Sequence, residues 1–405
     1  MIDTGTTTFM ILCTSLVMLM TPGLAFFYGG LAGKRNILGI MMQTFVSLGI
    51  TSIMWIAMGY SLCFSGGEGG IIGNLDLSFL NGMAFDEIYG GPDGQYPTYI
   101  FIAYQMMFAI ITPALITGAF VNRISFKAYL IFLVFWQLLV YYPFVHMIWG
   151  GGIMAEHGVL DFAGGIVVHA TAGFAALASV IYVGKRRDKK SIPNSIPLVA
   201  IGTALLWFGW YGFNAGSQLD VNSGATLAFL NTHIAASVAA ITWMIIEWVR
   251  DGKPTFVGLL TGVIAGLATI TPAAGFVPLW AAMIIGLMAG AGCYFAVQLK
   301  NKLGWDDALD VWGVHGIGGV IGVVALGIFA SKAIGGQAGL IEGDSGFFLV
   351  ELIAVAISAV YAFVITLGLL AGINLITKVK VSQEVEDEGI DSAIHGEKAY
   401  DEGVL

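Results

Sequence analysis

The stretch DFAGGIVVHATAGFAALASVIYVG, residues 161–184, decides the architecture. Beyond Asp161 it is apolar for about the ~20 residues that cross a bilayer. His169, eight positions after Asp161, is the one histidine or charged residue in that run. The spacing returns in DALDVWGVHGIGGVIGVVALGIFA, residues 307–330, where His315 follows Asp307 by eight. Both runs are rich in glycine, which lets helix backbones approach closely in lipid. Eight residues at ~1.5 Å each carry the chain ~12 Å along a helix. Each histidine therefore reaches the middle third of a hydrocarbon core ~30 Å thick.

Working outward, apolar runs of spanning length recur along the whole chain. Eleven are expected, at about 6–31, 38–64, 98–121, 126–147, 163–184, 196–217, 224–249, 255–273, 279–299, 310–331 and 347–377. Composition agrees: 57% of the 405 residues are hydrophobic and 11% charged, with a mean hydropathy of +0.85. A soluble domain carries roughly 25% charged residues, and so few could not cover a water-facing surface. The first run has neither a basic leader nor a small-residue cleavage site, so it reads as a retained helix rather than a signal peptide.

The fifth and tenth runs lie five spans apart and cross in opposite directions. An odd number of helices per unit produces an inverted repeat, with a site expected at the repeat interface. The expected fold is an all-α polytopic membrane protein in which helices 1–5 and 6–10 form the repeat and helix 11 is added. Residues 1–377 form the membrane domain and 378–405 a polar tail. Sixteen of the 17 basic residues fall in alternate loops and that tail, with Lys332 alone on the other side. The positive-inside rule then places the N-terminus outside and the C-terminus in the cytoplasm of a cell (inner or plasma) membrane.

The net charge of −9 says little about partners, because eight of the 26 acids lie in the last 22 residues. The long outer loop, 65–97, holds nine glycines, among them Gly66, Gly91 and Gly94, and no basic residue. Cys13, Cys63 and Cys293 are scattered without metal or redox spacing. Nothing in the composition suggests a nucleic-acid partner.

Ionisable residues at mid-membrane depth are costly and by default functional. For His169 and His315 the competing reading is a hydrogen bond to a carbonyl of a neighbouring helix. Two imidazoles are too few for a zinc site, and neither a metal nor a cofactor is called for. His146 and His157 are expected at the outer interface, His233 at a packing or subunit contact, and His395 in the tail. Tyr104 and Phe108 share one helical face, as do Trp210, Phe213 and Ser217 on another. Trp149 follows the fourth run. Either these rings form an interfacial aromatic belt, or with Ser217 they form a pocket for a small cation.

Several runs resemble the Amt/Mep/Rh ammonium transporter family, in its bacterial or archaeal Amt type. They are 161–169, GWYGFNAGS at 209–217, GVHG at 313–316, MTPGLAFFYGG at 20–30, TPAAG at 271–275 and GIDSAIHGEKAY at 389–400. The resemblance implies a transporter, not an enzyme, that serves nitrogen uptake as a homotrimer with one pore per subunit. It implies an outer ammonium site of Trp149, Phe108 and Ser217, shaped by Asp161, whose position also suits a helix N-cap. It further implies a stacked gate of Phe108 and Phe213, paired pore histidines His169 and His315, and Trp210 and Thr271 along the path. Ammonium would be deprotonated and ammonia conducted, with or without its proton. The tail motif implies docking of a cytoplasmic PII signalling protein. Two positions depart from the family: Tyr104 stands where phenylalanine is common, and Val121-Asn122-Arg123 replaces Ala-Glu-Arg. The latter puts a cytoplasmic ion pair in question.

Overall fold

A computed structural model describes residues 2–67, 69–90, 95–187 and 192–400. Gly91, Gly94, Lys189, Lys190 and residues 401–405 lie outside the described residues. Ten helices there are long and apolar enough to span a membrane. They are α1 Thr4–Leu31, α2 Ile37–Phe64, α3 Thr98–Ala119, α4 Phe126–Glu156, α5 Gly165–Val183, α6 Ile196–Gly216, α7 Ser223–Asp251, α9 Leu279–Leu303, α10 Trp312–Phe329 and α11 Ser345–Ile376. The eighth run forms the shorter α8, Phe256–Ile270. The chain is a mostly helical polytopic membrane protein; among the described residues the one sheet pairs Ile88–Tyr89 with Tyr96–Pro97.

Helix starts follow from capping chemistry. The side chains of Asp3, Ser195, Asn222, Thr255 and Asp344 accept amides of the first turns of α1, α6, α7, α8 and α11, groups that would otherwise lack partners. α8 is shorter than expected because Pro272 has no N–H to continue the helical ladder, and the chain turns beyond Thr271. The carbonyls beyond it are satisfied from neighbours, as irregular backbone inside a membrane requires. Asn231 Nδ2 of α7 donates to the Ala274 and Val277 carbonyls at 2.9 Å each, and the Phe162 amide to that of Pro272 at 3.1 Å.

The fifth and tenth helices begin alike. Gly164 has φ 118 and Asp310 φ 61, each three residues after its aspartate, and each is followed by a π-helical turn holding the histidine, Gly165–Ala170 and Trp312–Gly316. Such turns are wider than α-helix and concentrate at functional sites. The two helices cross where Gly173 meets Gly316. A Cβ on Gly173 would lie 2.1 Å from the Gly316 backbone, so no larger side chain fits.

The tail packs back onto its own chain, on the face that carries the basic loops. Strand-like bonds join Ser125 N–H to the Val379 carbonyl and Val381 N–H to that of Arg123. After α12, Gln383–Glu388, the Asp391 carboxylate accepts from Ile37 and Gly39 N–H at 3.0 and 2.8 Å. It thereby caps α2, whose own cap residue Asn36 makes no side-chain cap bond. Ile390 is buried, whereas Tyr400 is 43% exposed and lies against Lys34.

The structure bears on two expectations. His146, near the end of α4, is fully buried under the glycine-rich loop, its ring bridging the Cys63 and Gly67 carbonyls. Arg123 does find an acid, Asp306, 3.6 Å away, which Arg186 also grips at 2.7 Å. The preceding Asn122 sits at φ 60, a left-handed conformation that asparagine tolerates better than glutamate. His157 is exposed, His233 accepts or donates at 2.7 Å with Tyr211, and His395 packs edge-on to Phe126.

Candidate transport pathway

On the face opposite the tail, α3, α4 and α6 bring their aromatic rings together. Phe108 and Phe213 stack with centroids 4.2 Å apart and planes 29° from parallel. Trp149 meets Phe108 edge-on at 5.9 Å, and its indole N–H donates to the Asp161 carbonyl at 2.8 Å. Phe108, Trp149, Asp161 and Ser217, together with Gln105 and Phe162, line a vestibule of about 400 Å³. The Ser217 hydroxyl donates to the Phe213 carbonyl at 2.9 Å, which leaves its lone pairs as acceptors. The Tyr104 hydroxyl stands behind it, 3.2 Å from Ser217 Oγ and 2.8 Å from the Phe213 carbonyl.

Asp161 borders the vestibule, yet its carboxylate is fully engaged. Oδ1 accepts from Gly164 and Gly165 at 2.8 and 2.6 Å, and Oδ2 from Ile166 and Val167 at 2.8 and 3.0 Å. Burial pushes this carboxyl up, and the four amides oppose that shift. The side chain caps α5, and what it contributes to the vestibule is a fixed wall.

Behind the stacked rings lies a narrow cavity of about 10 Å³, room for roughly one water-sized molecule. His169, His315, Trp210 and Phe213 line it, with Leu24, Ile111, Leu206 and Ile264 making the rest apolar. The Nδ1 atoms of His169 and His315 are 3.3 Å apart. His169 also stacks on Trp210 at 5.5 Å, and its Nε2 has no partner among the described residues. The carbonyl-bonding alternative for these histidines is not what the structure contains. Thr271 stands behind Trp210, accepting the indole N–H at 3.0 Å, and is not on the cavity wall. His315 also borders a third cavity, of about 150 Å³, which opens toward the tail face past Tyr28, Asp310 and Arg186.

The three cavities lie in series, the stacked phenylalanines parting the vestibule from the middle one, which two facing imidazoles line. The model of the Ammonium Transporter Family matches residues 8–400. An ammonium transporter of Bacillus subtilis is 44% identical over 99% of this chain and 99% of its own. The crystal structure of Mep2 from Saccharomyces cerevisiae superposes with a TM-score of 0.87 at 34% identity, covering 95% of this chain and 88% of that one.

The chain belongs to the ammonium transporter family.

A structure named Sensor Amt Protein is also similar, at TM-score 0.88 and 29% identity, covering 96% of this chain and 98% of that one. The protein is thus an ammonium transporter and not an enzyme. Sequence reading passed over one of its buried acids. Glu351, near the start of α11, is fully buried, and a lone carboxyl within the apolar run 347–377 was the available signal.

Proposed function

We propose that this transporter recruits ammonium in the vestibule of Phe108, Trp149 and Ser217, strips a proton from it, and passes ammonia between His169 and His315 to the cytoplasm. The observation that carries the reading is the 3.3 Å contact of the two histidine Nδ1 atoms inside an apolar cavity directly behind the Phe108–Phe213 stack. Trp149 and Phe108 offer π-faces to a cation, and Ser217 Oγ offers one acceptor. Asp161 shapes that site through its backbone.

Ammonium, with a pKa near ~10 like other amines, is almost wholly charged at neutral pH. Carrying it intact through the apolar cavity would cost several kcal/mol or more. Losing the proton removes that cost, and potassium has no proton to lose. The stacked rings of Phe108 and Phe213 leave no gap, so they act as a gate that swings aside for each passage. Thr271 supports the path by holding Trp210.

The tail face is assigned to the cytoplasm of the cell membrane because the basic loops lie on it. The subunits assemble as a homotrimer, one pore each, and the tail face receives a PII signalling protein; family membership supports both readings, and the docked tail supports the second. The deciding experiment measures uptake and current in proteoliposomes under ammonium or potassium gradients. Ammonium-dependent flux without potassium flux is expected. Binding without flux would instead favour a sensor.

A further inference from the structure

Glu351 stands outside the site as described, yet it touches the site's frame. Its Oε1 accepts the Leu160 amide at 2.6 Å, while Oε2 has no hydrogen-bond partner among the described residues. No basic side chain there lies within ion-pairing distance of it. A buried acid so poorly compensated lowers stability, so its presence calls for an explanation other than stability.

The bond it makes supplies one. Leu160 precedes Asp161, and both line the vestibule. This short segment runs outside any helix between α4 and α5 and is fixed at four places. Glu351 holds the Leu160 amide, the Trp149 indole holds the Asp161 carbonyl, the Asp161 carboxylate grips the start of α5, and the Phe162 amide is bound to Pro272. Of these, the Glu351 contact ties the segment to α11, the helix outside the repeat. Without it, the Leu160 N–H would be buried unpaired or the segment would turn to satisfy it. The Asp161 carbonyl, one residue on, would turn as well, and Trp149 with it.

We propose that Glu351 is a positioning residue for ammonium recruitment: through Leu160 and Asp161 it sets the orientation of the Trp149 indole. This rests on the vestibule being the recruitment site. The role needs an acceptor at Oε1 and no charge, so an amide of the same shape fulfils it.

The test compares E351L and E351Q in full-length protein in proteoliposomes, with W149L as reference. Ammonium flux gives apparent KM and maximal rate, and NMR of 15N-tryptophan-labelled protein gives the Trp149 indole N–H signal, assigned by its loss in W149F. E351L is expected to raise KM roughly three- to tenfold at an unchanged maximal rate and to move the indole signal. E351Q is expected to return both toward wild type. An unmoved indole signal in E351L overturns the inference, as does E351Q behaving like E351L, which would make charge the relevant property. If W149L leaves KM unchanged, the recruitment reading itself fails; if W149L raises KM and E351L does not, this inference alone fails.

Discussion

The Nδ1 atoms of His169 and His315 face each other at 3.3 Å, and only one of them can carry the proton between them. If His169 donates, its Nε2 is bare and the Nε2 of His315 carries the hydrogen; if His315 donates, the pattern reverses. The pair therefore always presents an acceptor at one end and a donor at the other. When the bare Nε2 of His169 takes a proton, its Nδ1 proton passes to His315 Nδ1 and His315 releases the proton on its Nε2; the two states exchange and one proton has moved along the cavity. Two imidazolium rings would have no such bond. The arrangement suits a relay for the proton that ammonium gives up.

Replacing both rings (H169A with H315A) should therefore abolish ammonium flux or its discrimination against potassium, because the enlarged cavity admits water and loses its relay. Proteoliposome currents under ammonium and potassium gradients check this. Wild-type flux and selectivity in the double variant would refute the relay.

At the vestibule, S217A removes the free acceptor and W149L removes a π-face. Together these contribute on the order of 1 to 3 kcal/mol to holding a cation at a partly wet site. Apparent affinity at low ammonium should fall in each variant while thermal stability in detergent changes little. If the concentration dependence of uptake stays wild-type in both, recruitment occurs elsewhere.

The ion cluster on the tail face predicts a pH dependence of stability. Burial raises the Asp306 carboxyl, but the Arg186 side chain and amide, with Arg123, outweigh burial and hold it at about 2. Its folded value lies below the ordinary 3.8. The stability it contributes, about 2 kcal/mol, is thus present above pH 4 and lost as pH falls toward 2. Thermal unfolding of D306N should lie below wild type at pH 7, and the gap should narrow as pH approaches 2. A gap independent of pH would mean that packing, not charge, is at stake.

Much of this was legible in the sequence because bilayer thickness fixes span length and because Asp161–His169 and Asp307–His315 repeat one spacing. Asp161 could be read as an N-cap, and the positive φ of Gly164 explains why the cap sits three residues before its turn. Less legible were features that depend on which helices touch. Gly173 and Gly316 looked like two of many packing glycines, yet their contact brings the histidines together. Thr271 was expected on the path and stands behind Trp210, because the indole reaches over it. His146 near a helix end suggested an interface, and the glycine-rich loop folds over it. Glu351 carried a visible signal, one acid in an apolar run, whose meaning depended on Leu160 being across from it.

The tail gives the last prediction. Its acids and sparse apolar residues cannot form a core of their own, and they order by docking: Asp391 caps α2, Ile390 packs on Gly39, and the Arg35 side chain donates to the Asp387 carbonyl at 2.7 Å. Removal after Val381 keeps the strand-like bonds to Arg123 and Ser125 and deletes the cap of α2. Loss of such a cap costs about 1 kcal/mol, too little to unfold eleven packed helices. The truncated protein should therefore remain folded and elute from size exclusion with the full-length assembly, while losing some activity and the capacity for regulation. D391A should weaken activity in the same direction, since it removes the cap and leaves the tail in place. Pull-down with a cognate PII protein at varied nucleotide and 2-oxoglutarate checks the docking role: full-length protein should capture it and the truncated form should not. Equal capture by both forms would assign docking to the loops alone and leave the tail as a clamp on α2.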